Sequence, residues 1–360
     1  MKKWIKQTIK YILLAMFVAG MLYFNIKDHA AEIFDTLQHL QLRYTLGLIL
    51  LSASVYVIGG IGICVLCRKV NPAYQMKSGI SNAMISLFLM NVSASAVAKA
   101  AQMLLFKVRN ISWEQGCSIL VMDQILYQIS YMALSACAVF ISCDFLIPLF
   151  PKESILALTG FAISIFPILI VALLFLWPGV FAGLSKGIGY LIDKLQLPFD
   201  KLSIQHALQR FADSLQTANG LYKKDYRVML RVHLLNTVKL SIRHSLPLLI
   251  AFFLQIDLRL QDIPLFFFSI LFFVDLILSA LPVYGKHGVA ETTFTLIFTP
   301  LAGAAQAASI MLVWRAITFY TNTVLGGICM ILSPDISRSS LKESSRIPRC
   351  QLSRKRYSSC

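Results

Sequence analysis

Apolar residues run along this chain in long, nearly unbroken stretches, not in the alternating or one-sided patterns of soluble strands and helices. Such stretches occupy about 10–26, 46–66, 117–143, 155–177, 232–255 and 305–332. Each is close to the roughly 20 helical residues that cross about 30 Å of hydrocarbon. The pattern predicts an all-α polytopic membrane protein with about six full transmembrane helices. The first stretch follows Lys2, Lys3, Lys6 and Lys10, a flank that also suits a signal peptide. No small-residue cleavage motif follows cleanly, so it reads as an uncleaved helix.

Two further stretches, 79–106 and 264–300, are apolar but broken. The first carries NVSASAVAKAAQ in its middle. The second carries LPVYGKHGVAE, where Pro282, Gly285 and Gly288 interrupt a helix and serve as hinges.

Composition agrees with the membrane reading: 57% of residues are hydrophobic and 14% charged, and the mean hydropathy is +0.70, far from a soluble globular protein. The net charge of +16, from 33 Lys+Arg against 17 Asp+Glu, raises nucleic acid as a partner, but the charges lie in short flanks beside apolar runs. Segments 1–10, 67–78, 107–114, 178–231 and 333–360 carry +4, +3, +1, +4 and +5, whereas 27–43, 144–153 and 257–262 each come to −1. The positive-inside rule then predicts both termini in the cytoplasm and excludes a nucleic-acid groove.

This topology requires 79–106 to enter and leave on the same side, as a re-entrant helical hairpin. By the same parity, 264–300 is read as a re-entrant pair entered from outside, two short crossings being the other solution. Hairpins opening to opposite sides would resemble the inverted repeats of transporters. Residues 1–332 are expected to form the transmembrane domain. Segment 178–231 is expected to carry cytoplasmic amphipathic helices on the anionic leaflet, or a solvated connector, and 333–360 a basic disordered tail.

Eight ionisable residues remain at apparent membrane depth: Lys99, Asp123, Lys239, Arg243, Asp275, Lys286, Glu291 and Arg315. A charge at the bilayer centre costs at least about 2.5–3.5 kcal/mol, so they are expected to line an interior. Its cationic excess favours an anionic cargo such as a phosphate head group. Asn236, Lys239 and Arg243 share one helical face, as do Asp123, Tyr127 and Ser130, and Arg315, Thr318 and Asn322. Pro247 is expected to distort the helix beyond Arg243. Arg suits phosphate because its planar fork donates two parallel bonds. The competing reading is snorkelling for Lys239 and Lys286 and interhelical glue for Tyr127 and Thr318.

No enzyme site emerges from the motifs. There is no H-E-x-x-H, no G-x-S-x-G with partners and no phosphate loop, and the six His residues are scattered. Cys64 and Cys67 close a membrane stretch without a second pair or a nearby His, so neither a metal nor a cofactor is expected.

The residues from Asn91 through Lys107 to Ile111 and Ser112, then LVMDQILYQ with Asp123, Tyr127 and Gln128, together with LPVYGKHGVAE, WRAITFY and Gly326, resemble a known family. It is the flippase-like transmembrane family that forms the membrane half of bacterial lysylphosphatidylglycerol synthases and also occurs as stand-alone proteins. Gln102, Lys107, Pro282, Gly285, Gly288, Glu291, Trp314, Arg315 and Tyr320 fall on its pattern. Lys286 stands in place of its second loop glycine, and Ser93, Val97 and Ala98 stand where proline and paired glycines are usual.

The resemblance implies a multi-pass protein of the bacterial cell (inner) membrane that translocates an (amino)phospholipid such as lysylphosphatidylglycerol. The chain ends in a short basic tail where the family's aminoacyl-transferase half would follow, so lipid aminoacylation is not expected of it. The residues expected to hold the head group are Arg243, Arg315, Lys99, Lys239, Glu291, Asp123, Tyr127 and Gln102, with anionic membrane phospholipid as partner. The rival expectation is a non-transporting scaffold for a separate lipid-modifying or glycosyl-transferring enzyme.

Overall fold

A computed structural model describes residues 30–38, 40–93, 95–176, 213, 216–218, 220–222, 225–256, 264–281 and 288–333. The expected span 10–26, the tail beyond Ser333, most of 178–231, and Pro282, Gly285, Lys286 and His287 lie outside them.

The described residues build helices only. They are α1 (Ala30–Gln38), α2 (Leu42–Cys67), α3 (Met76–Val92), α4 (Ser95–Val108), α5 (Trp113–Leu149), α6 (Pro151–Leu176), α7 (Tyr226–Phe253), α8 (Pro264–Ala280), α9 (Val289–Ala302), α10 (Ala304–Arg315) and α11 (Asn322–Leu332), with a π-helical turn at Ala316–Thr321 joining the last two. Three stretches, Leu42–Cys67, Trp113–Leu149 and Ala304–Leu332, are long and apolar enough to cross a bilayer. The chain is an all-α polytopic membrane protein.

Local chemistry sets several boundaries. Helix α5 begins on a capping box, in which Ser112 Oγ accepts from the Gln115 amide and Gln115 Oε1 accepts from the Ser112 amide. It then runs for 37 residues, longer at both ends than the apolar stretch that foretold it. Helix α7 starts at Asp225, whose carboxylate accepts from the Val228 amide. It continues without interruption past Pro247 to Phe253. Pro247 acts more locally: it withholds the N–H that would bond the Arg243 carbonyl.

The broken stretch 79–106 is a helical hairpin with its break at 93–94. Buried Asn82 and Gln102 join its arms through Gln102 Nε2–Asn82 Oδ1 at 3.0 Å. The longer arm, α3, sits between α2 and α11. A Cβ on Gly60 would meet the backbone of Ile80, and one on Gly79 the carbonyl of Gly60. Only hydrogen at both positions lets the two helices touch backbone to backbone.

The second broken stretch gives α8 and α9. Helix α9 ends not at Pro300 but at Gly303, whose φ of 90° stops it. At 14 residues, α4 and α9 each rise only about 21 Å. Apart from Asp275, helix α8 is apolar and buried on nearly every side from Ile270 to Leu278, because α5, α6, α7 and α9 all pack against it. Within 178–231, Ala218 and Tyr222 are fully buried, and the Tyr222 hydroxyl donates to the Leu66 carbonyl at 3.1 Å, so these residues pack against the end of α2.

Candidate functional site: two intramembrane charge pairs

Two acid–arginine pairs lie inside the bundle, built on different principles. In the first, Glu291 sits in the opening turn of α9. Its Oε2 accepts the Gly288 amide at 2.6 Å. Gly288 has φ 81°, a conformation that side-chain-bearing residues avoid, and, lacking a side chain, it forms only one half of a capping box. The other carboxylate oxygen lies 2.8 Å from Arg315 Nε. The Nε–H is not aimed along that line, so the contact is a close ion pair more than an aligned hydrogen bond. The side chains are 14% and 8% exposed. The guanidinium lies over the Trp314 ring at 4.8 Å, and Trp314 stacks on Phe294 at 5.0 Å. This pair ties the start of α9 to the end of α10.

The second pair joins α7 to α8. Arg243 Nη2 lies 3.7 Å from Asp275 Oδ2, with the side chains 44% and 20% exposed. Arg243 is nonetheless enclosed by protein. Lys239, Tyr127 and Tyr56 share this character: protein surrounds each, yet each is only partly buried at its surface. The Lys239 Nζ sits over the Tyr127 ring at 4.7 Å, and the charges of Asp123, Arg243 and Lys99 all reach it. This polar cluster draws on α2, α5 and α7, with α8 contributing Asp275 beside Arg243.

The expected site residues thus separate. Arg243, Lys239 and Tyr127 come together in one cluster, with partly buried Asp123 and exposed Lys99 within electrostatic reach. Glu291 and Arg315 form the other pair. Gln102 is buried in the clamp between α3 and α4. Gly288 caps α9, while Pro282 and Gly285 lie outside the described residues. The stripe from Arg315 ends at Asn322, which is buried and donates to Ser52 Oγ at 2.7 Å; the π turn sets its register, as such turns do at functional sites.

Sequence reasoning missed His244. It is fully buried, stacked face to face on Phe272 at 3.6 Å, and lies 3.2 Å from Asp275 Oδ2. Its signal was the i, i+4, i+8 series Asn236, Leu240, His244, one buried face of α7 beside the Lys239–Arg243 face. His233 was missed too; its Nδ1 lies 2.8 Å from Ser130 Oγ. A groove of about 700 Å³ between Phe88 and the face of α11 that includes Val324, Ile328 and Ile331 is almost wholly apolar. It stands apart from both charge pairs.

Helices long enough to cross a bilayer, with ionised side chains held between them, define a polytopic membrane protein with a polar interior. The chain matches the family described as Lysylphosphatidylglycerol synthase TM region over residues 9–326, and it belongs to that family. It is a membrane protein related to lysylphosphatidylglycerol handling. Comparison with curated proteins and with solved structures finds no match.

Proposed function

We propose that this protein moves a phospholipid head group between the leaflets of the bacterial cell membrane, lysylphosphatidylglycerol being the cargo the family suggests, and that it is not itself an enzyme. The observation that carries the reading is a pair of cations one turn apart on α7, Arg243, 44% exposed and only loosely held by Asp275 at 3.7 Å, and Lys239 over the Tyr127 ring. Charges so placed are costly unless they do work, and an anionic phosphate is the natural counter-charge.

In this reading the loose Arg243–Asp275 contact is exchanged for the phosphate. Lys239, held over the Tyr127 ring, provides a second cation. Each charge-assisted contact contributes only about 1.5–3 kcal/mol, weak enough for release on the other side. Acyl chains stay in lipid. The Glu291–Arg315 pair and the Asn82–Gln102 clamp hold the two hairpins, read as re-entrant because α4 and α9 are too short to span alone. Both termini face the cytoplasm, and the partner is anionic membrane phospholipid.

The test is protein-dependent transbilayer movement of fluorescent phosphatidylglycerol in liposomes, comparing the parent with Arg243→Ala and Lys239→Ala. Slower movement in both is expected. Unchanged rates in both reject this site.

A further inference from the structure

Each ring nitrogen of His244 faces an oxygen. Its Nδ1 lies 2.8 Å from the Leu240 carbonyl oxygen, which only accepts, so Nδ1 carries hydrogen. Its Nε2 lies 3.2 Å from Asp275 Oδ2. A neutral imidazole with hydrogen on Nδ1 would present a lone pair there to an ionised carboxylate, two acceptors face to face with no donor between them. One proton resolves the contact, as imidazolium facing carboxylate or imidazole facing carboxylic acid. No water can substitute on the imidazole side, since His244 is fully buried against Phe272.

Arg243 is the third member, 3.7 Å from the same Oδ2. Tyr127 and Tyr131 of α5 act on Asp275 electrostatically. The Lys and Glu of α6, which packs on α8, are Lys152 and Glu153 in its first turn, and α9 offers Glu291, held by Arg315. Asp275 Oδ2 thus faces Arg243 on its partly exposed side and His244 on its buried side.

We propose that His244 and Asp275 form a proton-binding site that couples proton movement to movement of an anionic phospholipid; this rests on the translocation reading above. With the proton present, Asp275 is satisfied by His244 and releases Arg243 to a phosphate. With the proton gone, Asp275 claims Arg243 and the anion loses its partner. Proton and lipid anion therefore bind together, and by reciprocity each favours the other. The pair crosses with no net charge when the head group carries one negative charge.

The experiment uses the full chain in phosphatidylcholine vesicles containing a trace of fluorescent phosphatidylglycerol, with protein-free vesicles subtracted. Under an imposed pH gradient the label is expected to accumulate in the leaflet facing the alkaline side, up to about tenfold per pH unit for one proton per lipid. A membrane potential alone is expected to have no effect. His244→Gln, which keeps a donor but does not titrate, and Asp275→Asn are both expected to lose the asymmetry. As an independent measure, detergent-solubilised protein binding dihexanoyl phosphatidylglycerol is expected to take up about one proton per lipid, and H244Q none. Rapid equilibration of the label with a leaflet ratio near one in the parent overturns the coupling and leaves translocation standing. Absence of any protein-dependent movement overturns both. Parent-like asymmetry in H244Q, or binding without proton uptake in the parent, overturns the assignment.

Discussion

Glu291–Arg315 and Asp275–Arg243 are both carboxylate–arginine pairs inside the same bundle, yet they are constructed for opposite ends. Glu291 is saturated: one oxygen takes a backbone amide, the other an arginine at 2.8 Å, and aromatic rings close over the guanidinium. Asp275 meets its arginine at 3.7 Å, shares the same oxygen with a histidine, and leaves 44% of the Arg243 side chain reachable. A buried ion pair is held by geometry and extra hydrogen bonds, and without them its desolvation cost leaves it open to exchange. The tight pair locks helices together; the loose one can trade its partner.

The contrast can be broken most forcefully at the tight pair. Glu291→Ala leaves an arginine buried without counter-charge and removes the acceptor of the Gly288 amide, and it is expected to cost about 3–5 kcal/mol of stability. Thermal unfolding in detergent measures this, and a shift of less than a degree would remove the clamp role. Arg243→Ala should unfold within a few degrees of the parent, since the lost contact is long and half exposed, but should slow head-group movement by about tenfold to a hundredfold, the equivalent of one charge-assisted contact. Loss of stability equal to that of Glu291→Ala would erase the distinction.

A gentler test is Tyr127→Leu, which keeps apolar volume while removing the ring beneath Lys239. The cation–π contact is about 0.5–2 kcal/mol, so a threefold to thirtyfold weaker binding of a short-chain anionic lipid is expected by titration.

The smallest effect belongs to a third pair, Lys69–Asp225, which lies at the start of α7 and is about one third exposed on each side. The Lys69 ammonium donating to Asp225, helped by the Val228 amide, holds that carboxyl below the usual carboxylate range. A lowered folded value means the contribution is present above the unfolded value of about 3.9 and is lost as pH falls through the folded one. The melting difference between the parent and Asp225→Asn should therefore be small and flat from about pH 5 to 8, and should close below about pH 4. A difference that grows on acidification would reverse the sign of this argument.

Much of the architecture was legible along the chain. Apolar stretches at 46–66, 117–143 and 305–332 became helices long enough to cross, and the NVSASAV interruption became the turn between α3 and α4. The grouping of Lys239 with Arg243 on one face followed from helical spacing. Other features were not legible. Gln102 matched a family position, but its bonding to Asn82 depends on how two arms meet 20 residues apart. The π turn after Arg315 re-registers Asn322 toward Ser52, and no pattern in AITFYT announces it. His244 was passed over because a histidine costs little in an apolar stretch when neutral; only the carboxylate opposite it gives it meaning.

Sequence alone determined that this chain lives in a bilayer, which stretches become helices and which charges need shelter, because transfer from water to hydrocarbon and helical periodicity are properties of neighbouring residues. Tertiary structure decided which acid serves which arginine, how tightly, and where a proton must sit. Those choices turn on differences of an ångström between helices that are far apart in the chain, and ion pairing and hydrogen bonding change steeply over that distance.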